Sequence, residues 1–324
     1  MAVTSLEGRG APRRNARLQA ELLVEAELRG LSSHGLQRLP TLLKRIERGL
    51  ADPTANGICK WPRQALACID GERGLGPVVM MAAMSELASA VSSCGIAIAA
   101  IRNTNHIGML AYYAEAAALA GRIGIVMSTS EALVHPYGGT RAMLGTNPIA
   151  VGIPTDSEPF VLDLATSIVS MGRIHSHALR REPIPAGWAV DATGRPTIDP
   201  EAAKLGAIAP FGGPKGYGLG LAIELLVASL AGSDMAPEVR GTLDNTDPAT
   251  KGDVLILIDP AAGAGSTAAL TRYLERLRSS CPVEPDRPVA IPGDGSRTRR
   301  AEALSSGVEV PDALFHELSA LAAA

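Results

Sequence analysis

Apolar residues recur along this chain in two rhythms that alternate. Leu18, Leu22, Leu23, Ala26 and Leu28 fall about three to four residues apart, which predicts a helix over residues 15–29. A second helical run covers about 35–50 and is broken by Asp52, Pro53 and Gly57, so the segment Ser32-Ser33-His34-Gly35 sits between two helices. Residues 65–70 read as a short strand ending at Asp70-Gly71, and 77–92 as a long apolar helix of good helix formers. A buried strand over 96–101, a helix over 109–120 and strands over 123–127, 149–153 and 160–164 follow. Gly212 to Gly218 opens a helix that reaches about Leu230, 254–258 is a strand, and helices cover 267–278 and about 312–322. This alternation predicts an α/β protein with a mixed sheet. Residues 1–14, rich in Gly, Pro and Arg and without periodicity, are expected to form a loose N-terminal tail.

Composition narrows the picture. At roughly 100 to 200 residues per domain, a chain of 324 residues holds two domains or one elaborate one. With 46% hydrophobic residues, 34 Gly and only 3% aromatics, its core must be built from Ala, Leu, Val and Ile. A net charge of -3 leaves no global positive field for a nucleic-acid backbone, so no nucleic-acid partner is expected. Cys59, Cys68, Cys94 and Cys281 are irregularly spaced with no CxxC pair, so no metal is expected and they read as buried small hydrophobes in a reducing compartment. Continuous apolar stretches fall short of the ~20 residues of a membrane span. The N-terminus is polar and basic with no apolar signal core behind it, so no membrane partner and a cytoplasmic location are expected.

The chemistry-bearing residues fall in short polar segments. Ser32-Ser33-His34-Gly35-Leu36-Gln37-Arg38 places a hydroxyl, an imidazole and a guanidinium at the entry to a helix. Reduction of a 2-oxo acid needs a proton donor at the carbonyl oxygen, for which an imidazole is well matched, and a carboxylate clamp, for which Arg38 on the same helical face as His34 would serve. A capping serine followed by a surface His and Arg is an equally good reading of these residues alone. Asn103-Thr104-Asn105-His106-Ile107-Gly108 lies between a strand and a helix, where α/β proteins place ligand loops, although taken alone an Asn-rich turn whose His is a satisfied polar group is the better reading. Leu144-Gly145-Thr146-Asn147-Pro148 is expected to hold Asn147 extended before proline and to present a hydroxyl and an amide. Pro136-Tyr137-Gly138-Gly139 and Phe211-Gly212-Gly213-Pro214-Lys215-Gly216 are Gly-rich loops without a Walker sequence, and Lys215 offers a point charge at a helix start. Gly71-Glu72-Arg73-Gly74-Leu75-Gly76-Pro77 has the wrong glycine spacing for a Rossmann fingerprint. Met80, Met81 and Met84 read as core filler. Hydrolysis by Ser33 with His34 is disfavoured, since no GxSxG elbow surrounds the serine.

Taken in order, SHGLQRLP (33–40), NHIG (105–108), PYGG (136–139), LGTNP (144–148), LDLATS (162–167), PAGWAVD (185–191), GGPKGYGL (212–219) and PGD (292–294) resemble the malate/L-lactate dehydrogenase family. That family includes malate, sulfolactate and ureidoglycolate dehydrogenases, diketogulonate reductase and cyclic-imine reductases. The resemblance runs from about residue 15 to the C-terminus. It implies a mixed-sheet, non-Rossmann dinucleotide-binding α/β fold and hydride transfer between NAD or NADP, with NAD favoured, and a small 2-oxo or 2-hydroxy acid. It also implies a homodimer with active sites near the subunit interface. By the same resemblance His34 is the proton donor and Ser33 its partner, while Arg38, Thr146 and His106 meet substrate. The cofactor's surroundings would be His106, Ile107, Gly108, Met109, Leu110, Asp163, Leu164, Ala165, Met171, Gly172, Pro214, Lys215, Pro292, Gly293, Asp294 and Gly295. The implied division is a central cofactor-binding unit over 71–254 and a substrate and dimerisation unit over 15–70 plus 255–324.

Branch features refine this. Cyclic-imine reductases of the family carry an acidic residue where this chain has Arg173, so reduction of an imine such as piperideine-2-carboxylate is the alternative to hydroxy-acid chemistry. Lys251-Gly252-Asp253 also looks like the malate and sulfolactate members. The family's Thr-Asn reads Thr129-Ser130 here, which removes one implied polar contact, and the N-terminal helix looks short by comparison. A non-catalytic ligand-binding homologue is the remote alternative, against which the intact Ser33, His34 and Arg38 speak.

Overall fold

The computed structural model describes residues 1–242 and 244–323. The chain opens with α1 (Ala2–Glu7) and α2 (Arg13–Leu28), makes two successive 3-10 turns at Ser32–His34 and Leu36–Arg38, and continues as α3 (Leu39–Glu47). Next come β1 (Ile58–Arg63), β2 (Leu66–Gly74), α4 (Gly76–Cys94), β3 (Ile96–Thr104), α5 (Ala111–Leu119) and β4 (Ile123–Ser128). The pair β5 (Ile149–Ile153) and β6 (Phe160–Leu164) leads into α6 (Met171–Arg180), β7 (Ala189–Val190), β8 (Pro196–Thr197), α7 (Pro200–Lys204) and β9 (Ala207–Ile208). The chain closes with α8 (Pro214–Ala231), β10 (Gly252–Ile258), α9 (Thr267–Arg278), α10 (Asp294–Ser306) and α11 (Asp312–Ala323).

Seven strands form one sheet in the order β1-β2-β3-β10-β4-β5-β6, and β8-β7-β9 form a small second sheet. Among the described residues of the large sheet only β2 and β3 run parallel; its other neighbours are antiparallel. This is a mixed α/β sheet, unlike the parallel doubly wound sheet of a Rossmann domain. The late strand β10 inserts between β3 and β4 and is buried on both faces, which is why its sequence is an apolar run from Val254 to Ile258. Leu255 and Leu257 point toward α4 and α5, where Val79, Met80, Leu87 and Tyr113 pack. Val254 points the other way, onto Ile223 and Val227 of α8. With few aromatics available, close approach of small residues does the filling: a side chain at Gly152 in β5 would overlap the Ala114 carbonyl of α5.

Several expectations need correction. Residues 1–14 are not a loose tail, because Leu6 of α1 is fully buried among Leu23, Leu39, Leu43 and Leu318, Ala11 joins the same cluster, and α1 docks against α2, α3 and α11. The expected unit boundaries at 70/71 and 254/255 both fall inside strands, β2 and β10, of the same sheet. The predicted helix over 35–50 begins as a 3-10 turn and becomes α-helical only at Leu39. α4 is, among the described residues, the one helix long and apolar enough to cross a membrane, yet its Val79, Met80, Ala83, Leu87 and Val91 are buried in the main core. The cysteines are not the buried hydrophobes expected: Cys59, Cys68 and Cys94 are half-buried on strands and a helix end, and Cys281 is exposed after α9.

Candidate active site

The residues between α2 and α3 fold as two short turns because Gly35 (φ -95°, ψ -149°) interrupts them. The first is closed by His34 N–H donating to Leu31 O (2.8 Å), the second by Arg38 N–H donating to Gly35 O (3.0 Å). His34 and Arg38 therefore do not share a helical face as expected. They meet because the Arg38 side chain folds back, its Nε donating to the Ser33 carbonyl at 2.7 Å. Ser33 Oγ lies 3.0 Å from His34 Nδ1. A hydroxyl can donate to the neutral ring or accept from the protonated one, so this contact survives a change of protonation state.

His106 arrives from the far end of β3, its ring centroid 5.5 Å from that of His34 and tilted by 36°. Its Nδ1 accepts from Gly108 N–H at 3.1 Å, which places the ring proton on Nε2. Gly108 has φ +75°, and a side chain there would overlap Leu22 of α2, so this position requires glycine. Burial, and then the Arg38 charge, push the His34 pKa down from 6.5 to about 4. Burial, Arg38, His34 and Lys251 together hold His106 well below its ordinary value. Both rings are thus neutral at neutral pH.

Thr146 lies across the site. Its N–H donates to Ser130 Oγ at 3.1 Å and its hydroxyl lies 3.5 Å from the same atom, so the serine that replaces the family's asparagine supports this loop. Asn147, expected to be extended and presented to ligand, instead has φ +31° and is fully buried. Its amide donates to Gly220 O (3.0 Å) and to the Glu224 carboxylate (2.5 Å) of α8, which turn it into the protein. Asn105 is likewise structural, donating to Arg73 O at 2.6 Å and accepting from Arg45 Nε at 2.8 Å.

A cavity of about 620 Å³ opens beside these groups, within the ~300 to 1,000 Å³ usual for cofactor sites. Of the residues expected to meet substrate or cofactor, its walls bring together His34, Thr146, Gly108, Met109, Leu110, Asp163, Leu164, Ala165, Pro292, Gly293 and Gly295. Asp163 Oδ2 accepts from Ala111 N–H (2.8 Å) at the start of α5. Although Asp163 is open to the cavity, the protein packed around it pushes its pKa up to about 6, against the backbone bonds from Ala111 and Leu110. Arg29, Arg297 and Arg299 also line the cavity and were not anticipated. The sequence signal for Arg297 and Arg299 was the cluster of basic residues after PGDG; Arg29, at the end of α2, had none.

Other expected residues lie elsewhere. Ile107 is buried in the core, its carbonyl accepting from Tyr113 Oη at 2.5 Å. Asp294 is turned from the cavity by Arg278 (2.9 and 2.8 Å) and Arg297 (2.8 Å), which hold its carboxyl far below the usual range and staple α9 to α10. Pro214 and Lys215 are exposed at the start of α8, outside the cavity. Met171 packs against the small-sheet core, and Gly172 lies beside the Ser32–His34 turn, where an added methyl would stand 3.3 Å from Ser33 Cβ.

The malate/L-lactate dehydrogenase family model matches residues 1–319. A crystal structure of a dehydrogenase from Sinorhizobium meliloti is 66% identical and superposes with a TM-score of 0.97 over 99% of this chain and 95% of that one. The L-sulfolactate dehydrogenase of Methanocaldococcus jannaschii is 36% identical over 95% of this chain and 90% of its own length. A Δ1-pyrroline-2-carboxylate reductase of Burkholderia multivorans is 34% identical over 99% and 94%. The chain therefore belongs to the malate/L-lactate dehydrogenase family of oxidoreductases.

Proposed function

We propose that this chain interconverts a small 2-oxo acid and its 2-hydroxy acid, using NAD or NADP, with His34 as the proton-transferring group. The observation that carries this reading is that His34 and Thr146 open into the same cavity as the α5 start, Asp163–Ala165 and the Pro292–Gly295 turn. The fit to a dinucleotide rests on that volume, on the three wall arginines and on a carboxylate at Asp163 suited to sugar hydroxyls. When bound, the nicotinamide supplies or accepts the hydride.

In the oxidation direction the neutral His34 ring takes the proton of the substrate hydroxyl; in reduction the protonated ring returns it to the carbonyl oxygen. With Nε committed to Ser33 O, Arg38 has its two Nη groups left to meet a carboxylate. A carboxylate there offsets the guanidinium charge that lowers the His34 pKa, so binding of a 2-oxo acid favours the protonated ring that reduction needs.

A homodimer is supported by the outward face of α8, where Leu219, Leu225 and Leu226 are exposed together. The imine alternative draws on the pyrroline-carboxylate reductase relatives. Against it, the position of the acidic residue in imine reductases is held by Arg173, stacked 5.3 Å from the Trp188 ring. Turnover of oxaloacetate and sulfopyruvate, compared with that of a cyclic imino acid under both NADH and NADPH, separates the two. Faster reduction of the imino acid would replace the present reading.

A further inference from the structure

The two turns that carry Ser33, His34 and Arg38 contain few residues, and no hydrogen bond between their own backbones links them across Gly35. The Arg38 Nε bond to the Ser33 carbonyl joins them from within, and a second contact braces both from outside. That second contact comes from Glu27, the next-to-last residue of α2, which is buried at 9% exposure. One oxygen, Oε2, accepts from Ser32 Oγ at 2.7 Å, at the start of the first turn. The other, Oε1, accepts from Leu36 N–H at 2.7 Å, at the start of the second. A side chain at Gly35 would overlap Oε1 and stand 2.5 Å from Cδ, so the carboxylate lies flush against the residue between His34 and Arg38.

From this geometry we propose that Glu27 is the positioning residue of the active site: one carboxylate caps both turns and so sets the His34 imidazole and the Arg38 guanidinium at their working separation. The inference rests on the reading of His34 and Arg38 given above. It assigns Glu27 no contact with substrate or cofactor. Leu36 N–H heads a turn and has no backbone partner of its own, so the carboxylate satisfies an otherwise orphaned donor. The requirement for glycine at position 35 follows from the same contact.

The test uses the full-length protein and the variants Glu27→Ala, Glu27→Gln and Gly35→Ala. Gln keeps an acceptor for Leu36 N–H and can donate to Ser32 Oγ, so it should recover most of what Ala loses. Misplacement of a reacting group by about 1 Å costs on the order of 100-fold. Glu27→Ala and Gly35→Ala should therefore each lower kcat with a 2-oxo acid by roughly 10- to 100-fold, while the Kd for NADH, read by nicotinamide fluorescence, changes by less than about threefold. A thermal melt accompanies each variant, and if Glu27→Ala fails to fold, Gly35→Ala and Glu27→Gln carry the test. The His34 ring resonances, assigned by their loss in His34→Gln, supply a readout that needs no turnover, and they should shift in both Glu27→Ala and Gly35→Ala. Wild-type turnover with a 2-oxo acid is measured first; if it is absent, the functional reading fails and the ring resonances alone decide the positioning claim. Wild-type kcat and unmoved His34 resonances in Glu27→Ala would overturn the proposal, as would equal losses of kcat and cofactor affinity in Ala and Gln alike.

Discussion

Replacing Arg38 by lysine keeps the charge and removes the geometry on which the site depends. In the structure Nε is committed to the Ser33 carbonyl at 2.7 Å, and only the Nη edge is left for a ligand. A lysine has one ammonium and must choose between the carbonyl and the ligand. Hydrogen bonds to charged groups contribute about 1.5 to 3 kcal/mol, and disturbing a charged anchor in a partly desolvated pocket costs about 2 to 5 kcal/mol. At roughly 1.4 kcal/mol per tenfold, Arg38→Lys should lower kcat/KM for 2-oxo acids by about 30-fold to a few thousandfold. The assay is steady-state reduction of oxaloacetate, with cofactor affinity measured separately by nicotinamide fluorescence. A substrate whose C1 carboxylate is converted to a neutral amide serves as control; it should be poor with both enzymes and lose little more in the variant. If Arg38→Lys instead weakens the cofactor and penalises acid and amide equally, Arg38 belongs to the dinucleotide site and the anchor assignment fails.

Other perturbations follow from the same geometry. Because the His34 pKa is lowered to about 4, the neutral ring needed for oxidation is present above that value and lost below it. The kcat/KM for hydroxy-acid oxidation should stay flat from about pH 5 to 8, and in Arg38→Gln the acid limb should move up in pH, since the charge that depresses the ring is gone; a break near 6.5 in the wild type contradicts this. Lys251→Met leaves the fully buried Asp253 without its cation and with only Ser128 donating to Oδ1, so urea denaturation should report a loss of about 3 to 5 kcal/mol; a change below 1 kcal/mol would mean the pair is dispensable. Gly152→Ala drives a methyl into the Ala114 carbonyl and should cost about 1 to 3 kcal/mol or more by the same denaturation, whereas unchanged stability would show that α5 does not rest on β5 as described.

Much of the architecture is legible where apolar residues face a core. The strands over 149–153 and 160–164 and the helix over 267–278 agree with the structure to the residue. β1 left no such pattern: it is an edge strand, exposed at nearly every position and carrying Pro62. α10 is equally hidden, because it has no buried face and is held by ion pairs such as Arg300 with Glu25 and Asp294 with Arg278. In the site, motifs located the turn, the Thr146 loop and several cavity walls, but could not say which side chains face inward. Asp294 and Asn147 sit in motifs yet are turned away by Arg278 and Glu224, partners 16 and 77 residues distant. Glu27 escapes sequence reading for a related reason: nothing in a glutamate at a helix end announces that its carboxylate will cap two turns, five and nine residues on.

The central claim is that His34 transfers the proton in a nicotinamide-linked reduction of a 2-oxo acid, and single-turnover reduction by wild type and His34→Ala tests it most directly. Both proteins are saturated with NADH or NADPH, mixed with oxaloacetate or sulfopyruvate, and followed by the loss of nicotinamide absorbance. Loss of a proton donor typically costs about 10²- to 10⁴-fold in rate, so the variant should bind cofactor normally and turn over slower by that factor. A variant that reduces the 2-oxo acid at close to the wild-type rate would contradict the account and move the proton to His106, 5.5 Å away.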